Sequence, residues 1–270
     1  MPRNETKNEP NVLELFGLRG RVAVVTGAGG HLGNALARAL AEAGARVVAT
    51  SRDPKRAAET AQSLPDSNGI EHFGAALDQT DVDSVDQFFN TVLRKTKHID
   101  ILVNNAHEHV MGDWQSISAE DFQHHFANIT GYFLLARRVR DHAVERGIPA
   151  SIVMLGSMYG VVGSYPDAYQ GIGPASNVAY HALKGGIVHL TRHLAVYWAK
   201  DRVRVNCLSP GPFPSSAANP QLVERLTAKS PMGRMGYPHE LKGGLLLFAS
   251  DAGSYITGQN LIVDGGWTAW

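Results

Sequence analysis

Short apolar runs alternate along this chain with longer segments in which apolar residues recur every three to four positions. The apolar runs are rich in β-branched residues and predict buried strands of a parallel sheet. They span residues 21–26, 45–51, 72–77, 99–105, 151–157, 202–209 and 259–264. The segments between them predict helices at residues 34–43, 54–63, 83–97, 119–146, 176–200 and 240–250. This alternation predicts an α/β fold with a seven-stranded parallel sheet flanked by helices.

No linker or change of composition divides the chain, so a single doubly wound domain is expected. We expect this domain at residues 20–270, after an N-terminal tail at residues 1–19. A flap is predicted near residues 212–234, with a short helix at 221–228. Residues 128–131 interrupt the composition of the long fourth helix, because Asn and Gly are poor helix formers, and a functional or packing reason is expected there.

The balance of charge excludes several classes of protein. Lys and Arg total 25, as do Asp and Glu, so no net field attracts nucleic acid or an acidic membrane. The single cysteine, Cys207, excludes an internal disulfide, and the 12 histidines show no metal-ligand spacing. No apolar run reaches the ~20 residues that cross a bilayer. With a polar first segment of mixed charge, these features predict a cytoplasmic protein that holds no metal.

A glycine-rich loop follows the first predicted strand and precedes the first predicted helix. Glycines let the backbone approach a pyrophosphate, and the helix N-terminus offers unpaired N–H groups and a positive dipole end. This order predicts a dinucleotide phosphate site, with a flexible glycine turn as the alternative. The candidate residues are Gly27, Gly29, Gly30, His31, Leu32 and Gly33.

The second predicted strand ends at Ser51 and Arg52, where such folds choose between two cofactors. A carboxylate at this place holds the adenosine ribose hydroxyls, whereas a small residue followed by Arg accepts a 2′-phosphate. We therefore expect NADP(H), while NAD(H) stays possible because Asp53 could turn toward the ribose. A solvated Arg52 is the alternative. Asp78, at the end of the third strand, is expected at an adenine edge or as an N-terminal helix cap.

Tyr180 and Lys184 stand four residues apart, which places both side chains on one face of the predicted helix. A free phenol has a pKa near 10, and bringing it to about 7 takes roughly 4 kcal/mol. One ammonium at ~5 Å supplies roughly 3 kcal/mol of this in an effective dielectric of ~20. The pair can form a general acid/base near neutral pH, although this spacing also occurs on ordinary helix surfaces.

Several motifs together resemble the short-chain dehydrogenase/reductase family over residues 20–266. Residues 26–33 match its cofactor loop, residues 104–106 (Asn-Asn-Ala) its central strand motif, and residues 206–211 its Asn-x-x-x-Pro-Gly turn. Its catalytic tetrad is matched by Asn128, Ser157, Tyr180 and Lys184. The resemblance implies a Rossmann-type fold and hydride transfer between a nicotinamide and a carbonyl or secondary alcohol. It adds these candidate cofactor-binding residues: Asn105, Ala106, Tyr180, Lys184, Pro210, Gly211, Phe213 and Ser215.

The resemblance also implies a role for each tetrad residue. Tyr180 would exchange a proton with the substrate oxygen, and Ser157 would donate a hydrogen bond to the same oxygen. Lys184 would lower the pKa of Tyr180 and hold the nicotinamide ribose, while Asn128 would position a water that carries protons. Taken singly, Ser157 could be a helix cap, Asn128 a helix break and Lys184 a surface charge.

Three features depart from the family pattern. His31 and His107 each stand where the family usually has a glycine, although Gly29 and Gly30 precede His31. Ser157 and Tyr180 are separated by 22 residues, more than the family typically has. The extra segment, residues 163–175, is expected to lie over the mouth of the active site.

Polar side chains near the expected mouth indicate a substrate class. The inserted segment carries Ser164, Tyr165, Asp167, Tyr169 and Gln170, and His107 and His109 are expected to face the site. Such groups suit a sugar acid or a polyol better than a bare acyl chain. A 3-oxoacyl-thioester reductase is the alternative, served by the hydrophobic Met158, Phe213 and Met232. A dinucleotide-binding regulator without turnover is a third hypothesis.

Apolar surfaces indicate self-association. Helices 119–146 and 176–200 offer apolar faces of the kind that family members use to form tetramers. Trp267 and Trp270 would prefer burial against a neighbour. We therefore expect a homo-oligomer, in the form of a tetramer. The expected substrate is a small-molecule carbonyl or alcohol.

Overall fold

The computed structural model describes residues 9–66, 69–110, 112–174 and 176–270. Its strands span Val22–Val25 (β1), Arg46–Ser51 (β2), Phe73–Ala76 (β3), Ile101–Asn104 (β4), Ala150–Leu155 (β5), Val203–Pro210 (β6) and Asn260–Val263 (β7). All pair in parallel in one sheet of spatial order β3-β2-β1-β4-β5-β6-β7. The predicted seven-stranded parallel sheet is confirmed. Its order reverses between β1 and β4, which is where ligands bind in doubly wound sheets.

Helices connect the strands and cover both faces of the sheet. They span Val12–Leu15 (α1), His31–Glu42 (α2), Pro54–Gln62 (α3), Val82–Thr96 (α4), Ala119–Arg146 (α5), Pro166–Tyr169 (α6), Val178–Trp198 (α7), Pro220–Thr227 (α8) and Lys242–Ala249 (α9). The short helix predicted in the flap is α8, which begins one residue earlier than expected. The single turns α1 and α6 are too short for a periodic pattern to predict them.

The core lies in two layers, because neighbouring residues of a strand point to opposite faces of the sheet. Val24 of β1 packs in a cluster with Leu135 of α5, to which α4 and α7 also contribute. Val25 packs in a second cluster with Leu36 of α2, to which α9 also contributes. Burial on both faces explains why the strands are apolar runs without alternation.

Helix α5 continues without a break through residues 128–131. A β-carbon on Gly131 would lie 2.4 Å from the carbonyl oxygen of Gln79, so only glycine permits this close approach. Ser118 caps the start of the helix by accepting a hydrogen bond from Asp121 N at 3.0 Å. Gly147 ends it with φ of 65°. Gly131 therefore serves a packing contact against Gln79 and does not end the helix.

The N-terminal tail is only partly described, because residues 1–8 lie outside the described residues. Asn11 caps α1 by accepting a hydrogen bond from Leu13 N at 2.9 Å. Leu18 is buried and belongs to the same core cluster as Leu36. The boundary at residue 19 and the extent of the flap stay predictions.

Candidate active site

A groove of about 410 Å³ lies at the carboxyl ends of β1, β2, β3 and β4. Eleven of the predicted cofactor-binding residues line it, namely Gly27, Gly29, Gly30, His31, Leu32, Gly33, Ser51, Arg52, Asp78, Asn105 and Ala106. The lining also includes Thr50, Arg56, Leu77, Gln79, Thr80, His107 and Glu108. Sequence reasoning identified His107 near the site but did not identify the other six as groove residues. Their positions at the carboxyl ends of β2, β3 and β4, or in the helix after β2, are the signal that could have identified them.

The glycine loop is shaped by close contacts of its own backbone. Gly27 has φ of 62°, a conformation that favours glycine. A β-carbon on Gly33 would lie 2.2 Å from the carbonyl oxygen of Gly27, so no larger residue fits there. Gly30 is the N-cap of α2 and makes no side-chain capping bond, which leaves the first N–H groups of the helix for an anion. His31 is the first residue of α2 and is exposed, so its side chain replaces a glycine without entering the loop.

Asn105 and Ala106 hold the glycine loop against the end of β4. Their backbone N–H groups both donate to the Thr26 hydroxyl, at 2.8 Å. The Asn105 side chain donates to the Thr26 carbonyl at 2.8 Å and to the Gly27 carbonyl at 3.2 Å. Asn104 is buried and donates to the Tyr132 carbonyl of α5 at 2.9 Å. The Asn-Asn-Ala motif thus fixes the shape of the groove from within the protein.

The adenosine end of the groove carries an ion pair. Arg52 Nη1 lies 2.9 Å from Glu108 Oε1 across this end, and 67% of the Arg52 side chain is exposed. Asp53 caps α3 by accepting a hydrogen bond from Lys55 N at 2.9 Å, which orients its carboxylate toward the helix. This capping role disfavours the alternative in which Asp53 turns toward a ribose. Arg52 is therefore the charge that a 2′-phosphate would meet.

Asp78 lines the same end and is not the cap of α4. The cap is Asp81, whose carboxylate accepts a hydrogen bond from Asp83 N at 2.9 Å. Asp78 instead accepts hydrogen bonds from the backbone and hydroxyl of Thr80, at 2.9 and 2.7 Å. The hydroxyl bond is the main cause that lowers the pKa of Asp78. Of the two expectations for Asp78, the helix cap is wrong.

Ser157, Tyr180 and Lys184 come together at the end of β5 and the start of α7. Asn177 caps α7 and accepts a hydrogen bond from Tyr180 N at 3.1 Å, which fixes the first turn. The Ser157 hydroxyl lies beside the Tyr180 phenol and opposes the rise that burial causes in its pKa. Lys184 Nζ lies 5.5 Å from the centroid of the Tyr180 ring and donates to the Leu155 carbonyl at 2.7 Å. The spacing along α7 places the ammonium beside the phenol, and the end of β5 brings the Ser157 hydroxyl to them.

Burial dominates the acid–base properties of this cluster. It raises the pKa of Tyr180, while the Ser157 hydroxyl acts in the opposite direction. Burial also lowers the pKa of Lys184 to about 8. The expectation that Lys184 lowers the pKa of Tyr180 is not met in this structure, because desolvation of the phenol outweighs the favourable contacts. The sequence spacing placed the ammonium correctly but carried no information on desolvation.

The Asn128 side chain makes four hydrogen bonds within the protein. Its oxygen accepts from Glu108 N at 2.8 Å and from Gln79 Nε2 at 3.2 Å. Its amide donates to the Glu108 carbonyl at 3.1 Å and to the His125 carbonyl at 2.9 Å. These bonds use both donors and two acceptor positions of the amide. The side chain therefore holds the segment after β4 in place and has no free donor with which to position a water.

His107 follows Ala106 and packs its ring against Tyr180. Its ring centroid lies 5.3 Å from that of Tyr180, at an interplanar angle of 82°. His125, on α5, contacts His107 with centroids 4.9 Å apart. His109 is exposed and lies with its ring 6.2 Å from that of His107. Sequence reasoning expected His107 and His109 near the site but missed His125, which lies three residues before Asn128 and so on the same face of α5.

The candidate residues after β6 lie apart from the large groove. A β-carbon on Gly211 would lie 2.5 Å from the Asp264 Cα, so Gly211 serves a close backbone contact. Phe213 and Met232 line a separate cavity of about 100 Å³. Met158 is buried and Ser215 is exposed, while Pro210 ends β6. Pro210, Gly211, Phe213 and Ser215 stay candidates for the cofactor site, although the groove lining does not include them. Met158, Phe213 and Met232 stay candidates for the mouth of the site in the 3-oxoacyl-thioester alternative.

The inserted segment docks on the flap helix α8. Arg225 of α8 donates to the carbonyl oxygen of Gln170 at 2.6 Å, and Lys229 lies 2.7 Å from the Asp167 carboxylate. The hydroxyls of Tyr169 and Tyr159 are 3.2 Å apart. Two of the polar side chains expected to face a substrate therefore already have partners in the chain. Residue 175 of the predicted insertion lies outside the described residues.

The two C-terminal tryptophans differ in their surroundings. Trp267 is buried within its own chain, with its ring 5.4 Å from that of Tyr165 of the insertion. The expectation that Trp267 needs a neighbouring subunit for burial is therefore wrong. Trp270 is 74% exposed.

The described residues form neither a cluster of metal ligands nor a membrane-spanning helix. Among them, no group of three or more His, Cys, Asp or Glu side chains is arranged to hold a metal ion. Within the same ranges, no helix combines the length and the apolar character needed to cross a bilayer.

Known proteins resemble this chain over nearly its whole length. A family model described as enoyl-(acyl carrier protein) reductase matches residues 27–268. An NADP-dependent mannitol dehydrogenase of Hypocrea jecorina is 34% identical over 264 residues, which cover 95% of this chain and 96% of the relative. A gluconate 5-dehydrogenase of Gluconobacter oxydans is 33% identical and covers 94% of this chain and 97% of its own.

A solved structure has the same fold as this chain. The gluconate 5-dehydrogenase of Burkholderia cenocepacia, in complex with NADP and tartrate, superposes with a TM-score of 0.87 at 30% identity. The match covers 96% of this chain and all of that one. Sheet order, glycine loop and the Ser157, Tyr180 and Lys184 cluster agree with these relationships. The chain belongs to the short-chain dehydrogenase/reductase family.

Proposed function

We propose that this protein is an NADP(H)-dependent oxidoreductase that interconverts a secondary alcohol and a ketone in a polyol or a sugar acid. The observation that carries the proposal is the cluster of Ser157, Tyr180 and Lys184 beside a glycine-lined groove. A bound nicotinamide dinucleotide supplies or accepts the hydride. The substrate class is supported by the names of the mannitol and gluconate dehydrogenases above.

The groove residues fit a dinucleotide. A β-carbon at Gly33 would lie 2.2 Å from the Gly27 carbonyl oxygen, so the loop needs glycine there. The start of α2 has no side-chain cap, which leaves its backbone N–H groups for a pyrophosphate. Arg52 provides a cation for a 2′-phosphate, and Asp53 is engaged at the start of α3. These features support NADP(H), with NAD(H) as the second cofactor.

Each residue of the cluster has a chemical task in the proposed reaction. Tyr180 donates a proton to the substrate oxygen during reduction and accepts it during oxidation. Ser157 lies beside the phenol, so its hydroxyl can orient the same substrate oxygen. Lys184 places an ammonium one helical turn from the phenol, where it can hold the ribose hydroxyls of the nicotinamide nucleotide. Asn128 acts as a positioning residue through its bonds to Glu108.

Absorbance of NADPH at 340 nm tests the proposal. Reduction is measured with D-fructose, L-sorbose, 5-keto-D-gluconate, an acetoacetyl thioester and a crotonyl thioester, and oxidation with D-mannitol and D-gluconate. Turnover of a ketose, polyol or sugar acid supports the proposal. Turnover of only the acetoacetyl thioester would favour a 3-oxoacyl-thioester reductase. Turnover of none, with NADPH bound, would favour a dinucleotide-binding regulator.

We further propose a cytoplasmic homotetramer. Val196 and Tyr197 on α7 are 77% and 63% exposed, and a face of this kind is stabilised by burial against another copy. The one cysteine is unpaired, as is usual in a reducing compartment. Light scattering coupled to size-exclusion chromatography tests the assembly, and a monomeric mass would contradict it.

A further inference from the structure

Two histidine rings surround the phenol of the proposed catalytic cluster. His107, His125 and Tyr180 contact one another edge to face, with ring centroids 4.9 to 6.2 Å apart. His107 also lines the cofactor groove, so it stands between the groove and the phenol. A substrate that reaches Tyr180 with its reacting oxygen therefore comes close to His107.

The imidazole nitrogens of this pair lack partners within the protein. In the described part of the chain, His107 Nε2 and both nitrogens of His125 have no hydrogen-bond partner. His125 has a relative exposure of 0%. A buried polar atom without a partner destabilises the fold by about 1 to 3 kcal/mol. Three such atoms beside one catalytic phenol point to a polar ligand that pairs with them.

The charge state of the pair restricts this ligand. Burial lowers the pKa of His107 to about 3 and that of His125 to about 4, and the nearby Lys184 acts in the same direction. Both rings are therefore neutral at pH 7, so each offers one donor and one acceptor. A hydroxyl also has one donor and can accept, which suits a neutral imidazole. A carboxylate only accepts, so it would pair with the donor nitrogen of a neutral imidazole and leave the acceptor nitrogen without a partner.

We propose that His107 and His125 form a subsite that binds a substrate hydroxyl on a carbon next to the reacting carbon. The inference rests on the proposed function and narrows it to α-hydroxy ketones and vicinal diols. His107, which lines the groove, contacts the hydroxyl, and His125 packs edge to face behind the His107 ring. A hydrogen-bonding subsite of this kind rejects analogues without the hydroxyl, because its own polar groups are then left unpaired.

Two ketones of equal size test the subsite. 1-Hydroxy-2-butanone carries the hydroxyl, and 3-pentanone has a methyl group in its place. For the wild type, we expect kcat/KM with NADPH to be at least about tenfold higher for the hydroxy ketone. His107→Phe retains a ring but removes the nitrogens, and should reduce this preference to about twofold or less.

His107→Gly is a second variant that introduces the residue usual in the family at this place, so it is compatible with the fold. It should lose the same preference, while His193→Phe, on the outer face of α7, should keep it. Circular dichroism and urea unfolding serve as checks of folding for all variants. Equal loss on both ketones, or an unchanged preference, in both His107 variants would contradict the subsite.

The wild type separates the subsite from the proposed function. If it reduces other carbonyl compounds but prefers 3-pentanone or ignores the hydroxy ketone, the subsite is wrong and the oxidoreductase stands. If it turns over no carbonyl or alcohol at all, the proposed function fails and the subsite fails with it.

Discussion

Cofactor choice can be tested at the ion pair between Arg52 and Glu108. Arg52→Ala removes the cation that a 2′-phosphate would meet, and Glu108→Gln removes the carboxylate that now pairs with Arg52 at 2.9 Å. NADPH must separate this pair in order to bind Arg52, whereas NADH need not. The two substitutions are therefore expected to change NADPH affinity in opposite directions.

The magnitude follows from the exposure of the pair. A hydrogen bond to a charged group contributes about 1.5 to 3 kcal/mol. Because 67% of the Arg52 side chain is exposed, the lower end applies, and separating the surface pair removes about 0 to 1 kcal/mol. The net contribution of about 0.5 to 1.5 kcal/mol, centred on about 1 kcal/mol, corresponds to roughly fivefold in the dissociation constant for NADPH. Glu108→Gln should strengthen NADPH binding by about threefold.

Fluorescence titration with NADPH and NADH measures these effects at fixed ionic strength. Arg52→Ala should weaken NADPH binding about fivefold and change NADH binding by less than about twofold. Lys55→Ala is the matched control, since Lys55 is an exposed cation three residues away that does not line the groove. The effect of Glu108→Gln should shrink when Arg52 is absent. Equal weakening of both dinucleotides by Arg52→Ala would refute the assignment.

Three other substitutions test the structural reasoning. Gly33→Ala forces the loop away from the Gly27 carbonyl and should lower the free energy of unfolding, measured with urea, by about 1 to 3 kcal/mol. Gly243→Ala, which has open space around it, should not lower this free energy. Equal effects of the two substitutions would contradict the close contact at Gly33. Asn128→Ala leaves the hydrogen-bond partners of Asn128 unpaired and should lower the free energy of unfolding by about 2 to 4 kcal/mol. An unchanged free energy of unfolding would contradict these bonds. Lys184→Met should abolish turnover yet raise stability at pH 7 by about 2 kcal/mol. Since burial lowers the pKa of Lys184 to about 8, below its unfolded value, the wild type recovers stability as pH rises through 8 toward the unfolded pKa, and the difference should shrink there. A difference that grows with pH would contradict the burial of a charged Lys184.

Much of the fold could be predicted because local pattern and global structure agree. Each apolar run became a strand, the central ones are buried on both faces, and the glycine loop lies between β1 and α2 as predicted. The spacing of Tyr180 and Lys184 likewise predicted their proximity, since the helical repeat alone determines it. These features need no knowledge of distant residues.

What failed depended on contacts between distant segments. The pKa of Tyr180 is set by burial, which the spacing to Lys184 does not contain. Asn128 looked like a helix break, but its side chain bonds a segment twenty residues earlier. His125 and Glu108 join the site only because α5 packs beside the end of β4, and Trp267 is buried by the insertion. No periodicity in the sequence records these contacts.

The most direct test of the proposed enzyme is the rate of the Tyr180→Phe variant, measured through NADPH absorbance with the ketone that the wild type reduces fastest. Phenylalanine retains the ring packing against His107 and removes only the hydroxyl that exchanges the proton. We predict that kcat falls by at least about a hundredfold while the dissociation constant for NADPH is unchanged. A variant that keeps the wild-type rate would contradict the role of this phenol, and with it the proposed reaction.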